Sequence, residues 1–534
     1  MLVGCSAVFG QSPSLTHTSP GALAPGRSVE VTFHGANLLG ATNLWTGVGA
    51  KVVAATANTS GTARLQVALP AAAPVGIHAA RLASASGVSA PLLLMVDDLP
   101  SVADVGTNTS VTNAQRLAWP VAVDGAAAAL GYKFYRVTAK AGDRLALEVF
   151  AQRLGSKLDP VLRLLDLRGR ELAFCDDESG LNGDCRLAHT FAAAGDYLIE
   201  VRDINYAGGS DYRFRLRLGD FPLVSLPFPA AVRAGQSATF SFVGPQVDQL
   251  KPIAATAPAE AMHLPLAVKF PGGKHAAFAA ALVTDTPEFS EAEPNENAET
   301  ATRFALPAGL NGRFLKPKDR DFWKFEAKQG QRVLFTAQTR SLGSASEVML
   351  QLRDAKGTAI ASSAVNEANE GAVTNTIPAD GTYFLVVDEL IRRGGPQHAY
   401  RVEAELLAPG FALEAEVEKV EAVPGGSFTV KVTATRRDFT GPITLAVVGL
   451  DGVTLADEVI KEKATNGTLK VTLPETATPG SVTPFRIVGK AKVGERETQA
   501  IVRTAPALKK LFPNLALPPR ELDGLIALGV KAKP

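Results

Sequence analysis

The 534-residue chain has only three cysteines, three tryptophans, four methionines and seven histidines. Three thiols are too few for a disulfide framework, so each folding unit must be held by its own apolar core. No apolar run approaches the length of a membrane-spanning helix, which excludes a helical membrane span. The 54 basic side chains are balanced by 53 acidic ones, and a formal charge of +1 supplies no long-range attraction to nucleic acid or to an anionic membrane. Catalytic signatures are missing too. The sequence has no His-Glu-x-x-His to place two imidazoles on one helical face around zinc, no Gly-x-Ser-x-Gly nucleophile turn and no Gly-rich phosphate loop ending in Gly-Lys-Ser/Thr. The histidines, His17, His34, His78, His189, His263, His275 and His398, show no metal-ligand spacing. Trp45, Trp119 and Trp323 are too far apart to form one stacking platform for sugar or peptide. The chain is read as non-enzymatic.

The chain is rich in turn formers, with 48 glycines and 34 prolines spread among short alternating stretches such as SVEVTF (Ser28 to Phe33). Period-two alternation bounded by Pro-Gly turns predicts short, half-buried strands, and the expected fold class is all-β, a tandem array of small β-sandwiches. By length, about three to five domains of ordinary size are expected.

One stretch occurs twice. A shift of 188 residues places FWKFEAKQG (Phe322 to Gly330) on FYRVTAKAG (Phe134 to Gly142) and VMLQLRDAKG on PVLRLLDLRG. After a small loop change, ADGTYFLVV (Ala379 to Val387) meets AGDYLIEV (Ala194 to Val201), and Tyr400-Arg401 is matched with Tyr212-Arg213. The inward faces then correspond: Phe325, Val333, Phe335 and Ala337 with Val137, Leu145, Leu147 and Val149, and Val348, Leu350 and Leu352 with Pro160, Leu162 and Leu164.

The expected organisation is a leader remnant (1–13), a first sandwich (14–98), the first copy (99–220), a shorter β domain (221–288), the second copy (289–408), a last sandwich (409–504) and a tail (505–534). The apolar start MLVGCSAVFG, polar from Gln11, reads as a secretory signal lacking its basic region. AAFAAALV (Ala276 to Val283) reads as either a strand or a short helix. TPEFSEAEPNENAETATRF (residues 286–304) is acidic and predicts a solvated linker, and the tail, interrupted by Pro513, Pro518 and Pro519, predicts an extended or partly ordered terminus.

In the second copy the series E-x-E-P-N-E-N-A, N-G-R-F, D-R-D-F-W-K-F, L-x-L-R-D-x-x-G and A-D-G-T-Y-F-L-V-V resembles the bacterial pre-peptidase C-terminal (PPC) domain family; the first copy resembles it with the acidic motif replaced by PSVADVGTNTSVTNAQRL. The start of residues 14–98, a prolyl turn, Gly-Arg-Ser, an alternating strand and His-Gly-Ala-Asn-Leu, resembles the IPT/TIG family of immunoglobulin-like domains, and residues 221–288 and 409–504 read as immunoglobulin-like as well. The resemblance implies an exported bacterial protein, extracellular, at the cell surface or periplasmic. It would act as a scaffold or adhesion module for polysaccharide, matrix or cell-wall partners. The alternative is an accessory chain of a secreted hydrolase system, aiding export, folding or substrate targeting.

Glu293, Asn295, Asp319 and Asp321 are hard oxygen ligands. In calcium-binding relatives, as the resemblance implies, the lead-in segment and the acidic turn before the first core strand hold the ion. Lys133 stands in the first copy where Asp321 stands in the second, so one site at most is expected, with a solvated acidic linker as the alternative. No cofactor is required. A weaker acidic group, Asp176, Asp177 and Asp184, lies between Cys175 and Cys185, whose spacing predicts a short disulfide clip; the alternative is a plain acidic surface loop.

Overall fold

The structure, a computed structural model, describes residues 10–259, 261–363, 370–515 and 519–534. The expected leader falls almost wholly outside them. Alternating sequences form alternating strands: nearly all regular structure is β, in sheets of three to five strands with one larger composite sheet in the last domain. The chain forms two compact units, residues 102–407 and residues 1–101 with 408–534.

In the first of these units the duplication is a duplication of topology. In the first copy one sheet runs Ser101–Ala103, Val121–Ala126, Arg213–Gly219, Arg144–Phe150, Arg186–Thr190, and the other runs Gln115–Arg116, Lys133–Ala139, Gly195–Asp203, Pro160–Asp166, Glu171–Cys175. The second copy repeats this order strand for strand, from Glu288–Ser290, Ala308–Arg313, Ala399–Leu406, Arg332–Gln338, Ala372–Thr376 in one sheet to Thr302–Arg303, Arg320–Ala327, Gly381–Glu389, Val348–Asp354, Ala359–Ser362 in the other. Every inward residue matched above is buried. Gly142 and Gly330 turn the chain between the first two long strands with φ of 86° and 80°, a backbone conformation that favours glycine.

One match needs correcting. Strand register places Phe214 opposite Gly125 and Tyr400 opposite Gly312, so the counterpart of Tyr400 is Phe214, not Tyr212. The close approach of each ring to the facing backbone explains the two glycines. A Cβ on Gly312 would lie 2.2 Å from the Tyr400 ring, and one on Gly125 would lie 2.8 Å from Phe214.

Between the copies, residues 226–284 form two three-stranded sheets, and the ambiguous alanine-rich run is resolved as the strand Ala280–Thr284. The segment expected to be a solvated linker is instead part of the second copy. Glu288–Ser290 and Thr302–Arg303 pair in parallel with Ala308–Arg313 and Arg320–Ala327, and Ala298 and Ala301 cover Phe322, Phe384 and Val386. Its acids Glu291, Glu293, Glu296 and Glu299 lie in the connection between these two strand segments, which Ala298 and Ala301 seal against the sheet.

In the other unit, residues 14–96 form a sandwich of a four-stranded and a five-stranded sheet around Val31, Phe33, Leu65, Leu82 and Leu94. The tail departs from expectation. Residues Ala505–Leu511 form a helix with proline in its first turn, where the missing N–H costs nothing, and Ile526–Val530 forms a strand between Lys419–Ala422 and Val482–Val493. Ile526, Leu528 and Val530 enter the core of the last sandwich.

The first and last sandwiches also dock. Arg81 Nη1 lies 2.5 Å from Glu418 Oε2, an ion pair outside hydrogen-bond angles, and its Nη2 donates to Glu418 O at 3.3 Å. Glu421 Oε1 accepts from Val88 N at 2.9 Å and from Ser12 Oγ at 2.7 Å.

Candidate metal centre

The lead-in of the second copy carries Glu291, Glu293 and Asn295 between the strand segments Glu288–Ser290 and Thr302–Arg303, with a cis peptide bond between Glu293 and Pro294. The backbone N–H of Phe322 donates to Asn295 O at 2.8 Å, fixing the lead-in against the strand beside Asp321. Carboxylate oxygens of Glu291, Glu293 and Asp321 then lie within 4.8 Å of one another.

Each member is held from behind. Asp321 Oδ2 accepts from the Tyr400 hydroxyl at 2.6 Å, and that hydroxyl accepts from Trp323 Nε1 at 2.9 Å. Asp319 Oδ2 accepts from Leu315 N at 2.6 Å, and Glu291 Oε1 accepts from Arg313 N at 2.8 Å. Their other oxygens, Asp319 Oδ1 and Glu291 Oε2, are buried and have no hydrogen-bond partner. Asp319 is 2% exposed and the Glu291 side chain 3%. The Asn295 amide lies 3.1 Å from both Asp321 Oδ1 and Glu293 Oε2. With its nitrogen inward it donates to both; with its oxygen inward it adds a neutral ligand to an all-oxygen set.

Electrostatics oppose four negative charges here. Burial, only partly offset by Arg313, pushes the Glu291 carboxyl up to about 8. Burial and then the Glu291 carboxylate raise Asp321 well above the usual range, and burial with Asp319 and Glu296 raises Glu293. Buried like charges of this kind ionise together only when a cation sits among them. The donor set, carboxylates with one amide, fits a hard divalent ion of the calcium type, which takes six to eight oxygens.

Of the residues expected from the sequence, Glu293 and Asp321 lie in this cluster with Asn295 beside them, while Asp319 bears on it electrostatically. Glu291 was missed as a ligand, although its spacing of two from Glu293 carried the signal. Tyr400 was missed as the group that orients Asp321, because a residue 79 positions away becomes its neighbour only through strand pairing.

Among the described residues, the second acidic group, Asp176, Asp177 and Asp184, does not gather its oxygens closely enough to hold an ion. Asp184 is fully buried, with Oδ1 accepting from Ala151 N at 3.0 Å and Gln152 N at 2.8 Å and Oδ2 from Arg153 Nε at 2.7 Å. It caps the short turn after the strand Arg144–Phe150. Glu370 does the same in the second copy, accepting from Thr339 N and Ser341 N. The expected clip is not formed either. Cys175 and Cys185 are both thiols, and Cys185 Sγ donates to Pro160 O at 2.7 Å. The thiols are nonetheless neighbours: their mutual hydrogen bond lowers the Cys175 pKa and, with burial, raises that of Cys185.

Residues 319–389 match the family model of the bacterial pre-peptidase C-terminal domain. The match contains Asp319 and Asp321; Glu291, Glu293 and Asn295 precede it. A probable subtilase-type serine protease of Deinococcus radiodurans is 37% identical over 75 residues, which are 14% of this chain and 10% of that protein. The chain thus spans about a tenth of the length of that relative. Among solved structures, the pre-peptidase C-terminal domain of a Bacillus anthracis collagenase is 15% identical, covers 21% of this chain and 100% of its own, and has a TM-score of 0.17. A Bacteroides ovatus protein of a mixed-linkage glucan utilization locus, in complex with a heptasaccharide, is 10% identical, with 72% of this chain and 71% of that chain covered and a TM-score of 0.15. Both structural likenesses are too slight to bear on function.

Proposed function

We propose that the chain is an extracellular or cell-surface scaffold of β-sandwich domains whose second duplicated domain is tightened by calcium, and that it engages polysaccharide, matrix or cell-wall partners. The observation that carries the calcium reading is the pair of buried, unpartnered oxygens, Asp319 Oδ1 and Glu291 Oε2, beside Glu293, Asp321 and Asn295. These five residues would hold the ion, which would tie the lead-in to the first core strand by neutralising their charge. Binding to the folded state alone stabilises by about 2.7 kcal/mol at a hundredfold excess over the dissociation constant. Melting of the full chain in millimolar calcium against chelator is therefore expected to show a saturable rise in one transition. Asp319→Asn and Glu291→Gln are expected to lose most of it, and an unchanged profile of the parent chain would dismiss the site.

The partner reading rests on the match of residues 319–389 to the pre-peptidase C-terminal domain family and on the lack of any catalytic signature in the sequence. A search for the ligand begins at the open cleft of about 420 Å³ lined by Cys175, Glu178, Arg186, Gln246 and Gln397. Glycan and matrix-protein arrays probed with the whole chain test it, and uniformly negative arrays would leave a spacer. The second reading, an accessory of a secreted hydrolase, is favoured by one observation, the 75-residue match to a probable serine protease. Under that reading the chain raises the yield of active protease when the two are co-expressed, and equal yields with and without it would count against it.

A further inference from the structure

The two copies differ most where the second gathers its carboxylates. Asp321 and Lys133 are equivalent in register: Asp321 lies opposite Val387 and Lys133 opposite Val201. In each copy the next residue on the strand donates its N–H to the carbonyl of a lead-in asparagine at 2.8 Å, Phe322 to Asn295 and Phe134 to Asn108. Four residues before each asparagine stands an acid, Glu291 in one and Asp104 in the other.

Lys133 is 4% exposed, and its Nζ lies 2.7 Å from Asp104 Oδ1, 3.2 Å from Gly106 O and 3.4 Å from Asn108 Oδ1. A carboxylate, a main-chain carbonyl and a side-chain amide are the oxygen types that a hard cation gathers. The remaining Asp104 oxygen is saturated as well, accepting from the Tyr135 hydroxyl at 2.6 Å and from Asn108 Nδ2 at 2.9 Å. A phenolic hydroxyl thus orients the acid in both copies, from Tyr135 in one and Tyr400 in the other. Three carboxylates converge in the second copy, with Asp319 adding to their charge, but one carboxylate faces one ammonium in the first, so the first is neutral without an ion.

We propose that Lys133 Nζ is a built-in cation occupying the place of a bound divalent ion, so that the first copy holds its lead-in without metal while the second requires metal. The inference rests on the calcium reading of the second copy. It confines cation dependence to one of two domains of identical topology, so that falling calcium loosens residues 291–304 and leaves 104–116 closed.

Hydrogen exchange of the full chain, read by peptide in millimolar calcium and in chelator, tests it. In the parent chain, exchange across 291–304 is expected to accelerate about tenfold on chelation if calcium was at ten times its dissociation constant, with no change across 104–116. Lys133→Met is expected to release 104–116 at any calcium level, with the core strand Pro160–Asp166 still protected as the control for folding. Asp321→Lys is expected to make 291–304 equally protected in calcium and chelator. Chelation that also releases 104–116 in the parent chain would overturn the proposal, as would protection of 104–116 that survives Lys133→Met. If 291–304 in the parent chain ignores calcium, the calcium reading fails, and the stand-in fails with it. A calcium response that persists while Lys133→Met changes nothing refutes the stand-in alone.

Discussion

Asp104 shows how far one residue's surroundings decide its chemistry. Burial alone would raise its pKa, but hydrogen bonds from Lys133, Tyr135 and Asn108 outweigh burial and hold the carboxyl below the usual carboxylate range. A folded-state pKa below the unfolded value of about 3.9 means stabilisation that is complete above that pH and lost as pH falls through the folded value. The other charged or titratable groups near this acid are Lys133, Tyr135 and, across the sheet, Asp124. Acidification below about pH 4 is therefore expected to release residues 104–116, measured by hydrogen exchange at low pH. Asp104→Asn should flatten that limb and cost roughly 3 to 5 kcal/mol near neutrality, since it leaves the Lys133 ammonium buried without its counter-charge. A second residue-scale expectation concerns Tyr383. It is buried and its hydroxyl donates to Ala379 O at 2.8 Å, while the equivalent Tyr197 donates to Ala193 O at 2.7 Å but is only partly buried. Tyr383→Ala should cost about 3 to 5 kcal/mol in unfolding of the second copy, and Tyr197→Ala less, because the lost burial is smaller.

At the scale of elements, the loop from Cys175 to Cys185 joins the end of Glu171–Cys175 to the start of Arg186–Thr190. Cys185 Sγ, which donates to Pro160 O, also lies 3.4 Å from the main-chain oxygen of Cys175. Exposure of the purified chain to oxidised glutathione is expected to convert the two thiols to a disulfide, each thiol giving up its hydrogen as glutathione is reduced, with intact mass as the readout. The closed loop is short, so the gain is roughly 3 kcal/mol by chain entropy, confined to the first copy. Persistence of both thiols would show that the Cys185 bond to Pro160 O holds that sulfur out of reach. The strands themselves were legible in the sequence, because side chains of period two and turn residues act locally: Val333, Phe335 and Ala337 alternate inward as their spacing requires. The lead-in at 288–304 was not legible. Its strand segments are two and three residues long and pair in parallel with residues further on, so pairing, rather than composition, makes them strands.

At the scale of the molecule, the expected string of domains becomes two compact units, one of which joins the beginning of the chain to its end. Arg81→Ala removes the guanidinium from a buried ion pair with Glu418, and a loss of about 3 to 5 kcal/mol is expected, seen as a joint rise in hydrogen exchange across 81–89 and 418–422. An effect limited to 81–89 would mean that docking does not stabilise the last sandwich. By itself the sequence determined the fold class, the duplication and its inward faces, and pointed to the hard oxygen donors Glu293, Asn295, Asp319 and Asp321, because alternation, turn chemistry and internal similarity are written over short distances. Tertiary structure alone decided that Glu291 joins Glu293 and Asp321 and that Tyr400 orients Asp321, that Lys133 answers Asp104, and that Ile526–Val530 completes the last sandwich. Those outcomes depend on strand register and on docking between residues far apart in the chain, where free energy comes from burial and charge pairing that no local pattern encodes.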